Sequence, residues 1–104
     1  MINNATIEKY FARIIVWVLP MQENMIKSAK KVVGFKQTRR AILQGLAKEV
    51  YYASDIDDFL RREIKEICQR NDILPHELPV TQEELGRLCR IDVGASVIAI
   101  LKDG

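Results

Sequence analysis

A chain of 104 residues has room for one domain, and a domain of that size buries roughly two-thirds of its unfolded surface without needing covalent staples. Apolar residues make up 48% and charged residues 29%, ordinary globular proportions that argue against a disordered or membrane-spanning chain. The net charge of +2 hides an asymmetry: residues 24–48 carry seven bases and no acid, while residues 49–104 carry twelve acids and seven bases, a net of −5. A concentrated positive field suits a polyanion, either nucleic acid or an anionic membrane surface, and equally a solvated basic helix face. Charge by itself leaves these open.

In residues 1–20, Ile7, Tyr10, Phe11, Ile14, Ile15 and Val18 fall on one face of a 3.6-residue period. Pro20 ends the pattern, because it lacks an N–H and clashes with the preceding turn. The apolar run from Ile14 to Leu19 is far shorter than the ~20 residues that cross a bilayer, and no small-residue cleavage site follows it. The expectation is an additional N-terminal amphipathic helix over 1–20 that packs on the domain, on a second copy or on a partner. Met21 is an alternative natural start, which would make the preceding residues an extension.

From residue 21 to 104 the pattern alternates. Met25–Val33 reads as a basic helix running into a short strand that ends at Gly34. Lys36–Gln44 reads as a second helix, closed by Gly45 in the left-handed conformation. Glu49–Ala53 is aromatic and branched enough for a strand. Asp57–Arg70 has the apolar stripe Leu60, Ile64, Ile67, Cys68 and invites i,i+4 ion pairs at Asp58–Arg62, Arg62–Glu66 and Glu66–Arg70. Two prolines in Pro75–Val80 restrict any strand there to a short or edge position. Thr81-Gln82-Glu83-Glu84 reads as a capping box opening a helix. Ala95–Leu101 is almost unbroken apolar sequence, as in a central strand covered on both faces. The predicted fold class is α/β: a three-layer α/β/α sandwich around a mixed sheet of about four strands.

Chemistry-bearing residues are few. Cys68 and Cys89 each continue an apolar stripe and lack the ligand spacing of a zinc site, so both are expected as buried thiols in a reducing, cytoplasmic setting. The cluster Asp55-Ile56-Asp57-Asp58 lacks the glycine and glutamate of a calcium loop and suits helix capping. His76, the one histidine, is expected at the surface. No catalytic residue, metal site, cofactor or small-molecule substrate is expected.

The segment Val32-Val33-Gly34-Phe35-Lys36-Gln37-Thr38-Arg39-Arg40 joins a strand end, a glycine and a cationic helix start. The first N–H groups of a helix lack internal acceptors, and the helix dipole places partial positive charge there, so phosphate oxygens or base edges are natural partners. The spaced glycines and Gly-Lys-Ser/Thr of a nucleotide-binding P-loop are missing.

Gly34-Phe35-Lys36-Gln37-Thr38-Arg39-Arg40-Ala41 resembles the signature of the ribosomal L7Ae/L30e family, in the form of its small bacterial kink-turn-binding members. Leu85-Gly86-Arg87-Leu88-Cys89-Arg90-Ile91-Asp92-Val93-Gly94-Ala95-Ser96 resembles a second motif of the same family, in the right order. The resemblance covers about residues 22–102. It implies binding of kink-turns, RNA duplexes bent at a three-nucleotide bulge beside tandem sheared G·A pairs, whose bend opens a groove that A-form RNA keeps closed.

By that resemblance Lys36 and Gln37 would face the G·A pairs and Arg40 the groove or backbone. Lys31 would add charge, and Gly34, Phe35 and Thr38 would shape the approach. Ile91, Asp92, Val93, Gly94 and Ala95 would form a loop over the extruded bases. Archaeal members carry Asn-Glu where this chain has Lys36-Gln37; a glutamine offers a guanine edge one acceptor oxygen where a carboxylate offers two. The implied partner is ribosomal RNA or a riboswitch stem, with the ribosome as a candidate assembly. The competing reading is a protein-interaction module acting through the N-terminal helix.

Overall fold

A computed structural model describes residues 23–103. The expected helix over 1–20 lies outside them.

A helical segment, α1, occupies 23–28 and leads into β1 (Lys31–Val33), α2 (Phe35–Leu43), β2 (Ala47–Ala53), α3 (Asp58–Arg70), β3 (Pro75–Leu78), α4 (Gln82–Leu88) and β4 (Val97–Leu101). The strands form one mixed sheet in the order β1-β4-β2-β3. β4 runs antiparallel to both β1 and β2, and β3 runs parallel to β2 along one edge. β4 is central and the proline-bearing β3 is an edge, as the sequence predicts.

Side-chain alternation assigns the helices to the two faces. Tyr52 feels both Arg61 and Cys68 of α3, so α3 covers the face to which Tyr52 points. α2 packs beside α3 and across β4 and β1. Lys31 is in register with Ile100, which pairs with Glu49; these residues have the opposite parity to Tyr52. The charge of Lys31 acts on Cys89, the C-cap of α4, which puts α4 on the other face. Val97, Ile98 and Ala99 are all fully buried: both faces of β4 are covered, which is why its sequence reads as an apolar run rather than an alternation.

Local signals explain the element ends. Asp57 caps α3 by accepting from Leu60 N–H at 2.7 Å. Thr81 and Glu84 make both halves of a capping box on α4. Gly45, at φ 72°, closes α2 with bonds from its own N–H to Ile42 and from Leu46 N–H to Ala41, the paired pattern of a Schellman end.

The expected helix running into a short strand before Gly34 is present: α1 stops at 28 and Lys31–Val33 is strand, with Lys31, Val32 and Val33 in the ladder against Ile100, Ala99 and Ile98. Two expectations are corrected. None of the three expected ion pairs on α3 forms among the described residues. Asp58 instead pairs with Arg61 at 3.2 Å, and Arg61 reaches across to Glu77 at 3.0 Å. His76 is half-buried rather than at the surface, because the parallel register sets it beside Tyr51, where the rings stack at 5.1 Å between centroids. Both cysteines are free and buried as expected; burial pushes the Cys68 thiol up to about 11, which suppresses the thiolate and its reactivity.

Candidate nucleic-acid interface

Strand directions decide which connections meet. The C-terminal ends of β1, β2 and β3 and the N-terminal start of β4 lie at the same end of the sheet. From that end emerge α2, α3, α4 and the segment 89–96 that enters β4.

Gly34 is the hinge of the site. Its φ of 97° and ψ of 158° belong to a region that only glycine occupies freely. Its N–H donates to Val97 O at 2.8 Å, and its carbonyl accepts the first helical bond, from Thr38 N–H at 2.9 Å. The start of α2 is thereby fixed to the start of β4, directly after the loop 91–95. No side chain caps α2, and its first turn contains no acid.

Lys36 and Gln37 are exposed in that first turn, and Arg40 is exposed one turn on from Lys36. Arg39 is also exposed and lines a shallow depression with Lys36, Arg40, Leu43 and Gln44. Reading by motif leaves Arg39 out, although the bare count of cations at this helix start includes it.

Phe35 is half-buried in the cleft between α2 and α3, and Thr38 is 1% exposed with no partner for its Oγ1. The Thr38 side chain therefore sits beneath the surface of the helix start. Lys31 is not brought to the helix tip: it is half-buried, its ammonium reaches Ala29 O at 3.4 Å, and three residues of strand, about 10 Å, separate it from Gly34.

The loop is held against α4. Ile91 N–H donates to Gly86 O at 3.1 Å and Ala95 N–H to Gln82 O at 2.9 Å. Gly86 is buried, and a Cβ there would stand 2.1 Å from Val93 O, so this helix position admits only glycine. Motif matching quotes Gly86 without giving it a role; its role is to let the loop lie flat on α4. Val93 is 70% exposed, Asp92 and Gly94 are exposed, Ile91 is half-buried and Ala95 is buried. Arg90, exposed at φ 61°, turns the chain from α4 into the loop.

The fold and this surface define a class: an α/β/α domain presenting a bare cationic helix start beside an exposed apolar loop at one end of its sheet. The description of the ribosomal protein L7Ae/L30e/S12e/Gadd45 family matches residues 20–104, and the chain belongs to this family. An RNA-binding protein of Caldanaerobacter subterraneus subsp. tengcongensis is 43% identical over 70 residues, which cover 67% of this chain and 84% of that one. RNA-binding protein YbxF of Geobacillus stearothermophilus is 34% identical over 84 residues, covering 77% and 96%. Among solved structures, the Giardia lamblia 15.5kD RNA binding protein superposes with a TM-score of 0.68 at 23% identity, covering 79% of this chain and 72% of that one; this last likeness speaks to fold alone.

Proposed function

We propose that this protein binds structured RNA of the kink-turn type, as a cytoplasmic ribosomal or ribosome-associated component rather than an enzyme. The observation that carries the reading is the uncapped, acid-free, cationic start of α2, fixed by the Gly34–Val97 bond to the same end of the sheet as the exposed loop. Free N–H groups and Lys36, Arg39 and Arg40 attract phosphate and electron-rich base edges. The Gln37 side chain accepts from a guanine edge, and Val93 covers bases that the bend has unstacked. Membership of the family and the printed names of the relatives point the same way.

Gel-shift titration of the full chain against a kink-turn stem, and against the same stem with its G·A pairs replaced by Watson–Crick pairs, tests the reading. Tighter binding to the kinked stem is expected; equal affinity for both would sink it. Because Gln37 offers one neutral acceptor, Gln37→Glu is expected to widen the gap between the two stems roughly tenfold, the size of one charge-assisted bond. An unchanged ratio would remove Gln37 from the guanine edge.

A further inference from the structure

We propose that the apolar face of residues 7–18 folds back, within the same molecule, onto a leucine shelf at the end of the sheet opposite the start of α2. Five large apolar side chains are exposed among the described residues. Phe59 and Val93 belong to the end from which α2 emerges, whereas Leu43 (56% exposed), Leu46 (50%) and Leu74 (72%) do not. Leu43 closes α2, Leu46 precedes β2 and Leu74 precedes β3, and the parallel pairing of β2 with β3 sets both strand starts at the far end. The three are joined by shared neighbours. Leu43 borders Asn71, and Asn71 and Ile73 line one depression with Gly45 and Ala47, which flank Leu46.

A single exposed leucine is ordinary on a protein surface. Three along one shelf, rimmed by Lys48, Asp72 and Lys102, form the kind of apolar patch that another surface covers. The chain itself supplies a cover. Ile7, Tyr10, Phe11, Ile14, Ile15 and Val18 recur at helical spacing, and an apolar helix face of that kind is stable only when buried against something.

Reach favours the same molecule over a second copy. Lys30 stands at the shelf's end of the sheet: its carbonyl accepts from Leu101 N–H at 2.9 Å, and the next residue, Lys102, donates from its N–H to the Leu46 carbonyl at 2.8 Å. Helix α1, anchored by the fully buried Ile26, covers 23–28 just before Lys30, about 9 Å of helix. Residues 19–22 add up to about 13 Å of extended chain, and Pro20 opposes a straight helix running on into α1. One strand separates β1 from β2, a gap of roughly 10 Å, which this leash spans. Docking at the far end also leaves the start of α2 and the loop 91–95 uncovered.

Trp17, the chain's one tryptophan, falls two helical turns on from Tyr10, at the edge of that face, and so reports on docking. In the full chain its emission should be blue-shifted and shielded from acrylamide, and sedimentation should give the mass of one chain. Leu46→Lys combined with Leu74→Lys should move the docked-to-free ratio about tenfold per leucine toward free, read as a red shift and a loss of shielding. Phe11→Asp, which leaves the domain untouched, should give the same red shift. Docking is overturned if Trp17 is as open to acrylamide in the wild type as in Phe11→Asp, or if the two leucine substitutions leave it shielded. A wild-type mass of two chains that falls to one in the leucine variant assigns the shelf to a second copy and overturns docking within one molecule.

Discussion

Helices α2, α3 and α4 all begin at the same end of the sheet, yet their starts are built in opposite ways. Asp57 and Asp58 serve α3, and Thr81, Glu83 and Glu84 serve α4: each has a hydrogen-bonded cap and carboxylates facing its dipole. The start of α2 has a glycine with no side chain, no acid and three exposed cations within its first six residues. A cap is worth about 1 kcal/mol, so leaving α2 bare sacrifices stability that the same fold secures twice nearby. Under the proposed function the contrast separates two roles: capped starts hold the domain together, and the bare start leaves its donors to an external anion.

The largest effect is expected where the two roles meet. Gly86→Ala would drive a Cβ into the Val93 carbonyl. It should cost about 1–3 kcal/mol, lower the melting temperature by several degrees and weaken RNA binding by displacing the loop. An unchanged melting curve would show that the loop does not depend on this contact.

Next comes the bare start. The double substitution Lys36→Gln with Arg40→Gln should reduce affinity by one to two orders of magnitude at low salt. It should also flatten the dependence of log affinity on log salt by roughly 1.5–2, with the melting temperature hardly moved, as befits exposed side chains. A preserved salt slope would place the phosphates elsewhere. The smallest change tests the capped side: Thr81→Ala should cost about 1 kcal/mol of stability and leave affinity for the stem unchanged. If affinity fell with stability intact, the division between capped and bare starts would be wrong.

Much of this protein was legible in order along the chain. The signals behind α3, α4 and the end of α2 are local: Asp57, the Thr81 box and Gly45 each satisfy backbone groups within a few residues, so sequence spacing specifies them. The central place of β4 was equally legible, since a strand buried on both faces must be apolar throughout. The cationic start of α2 and the two motifs pointed to the site through residue type and order, and the family match covers the same span.

What the sequence could not supply were relations between residues distant along the chain. That Lys31–Val33 pairs with β4, and antiparallel, is settled only by the closed sheet. Arg61 ignores its expected helical neighbours because Ser54 and Glu77 converge on it from two other elements. His76 meets Tyr51 only through the parallel register. The burial of Thr38 and Ala95, the withdrawal of Lys31 from the helix tip and the need for glycine at 86 likewise follow from packing. Periodicity and capping act over one or two turns and are written in the residues themselves. The meeting of the start of α2 and the loop 91–95 at one end of the molecule was decided by strand direction and order, which exist only once the sheet has closed.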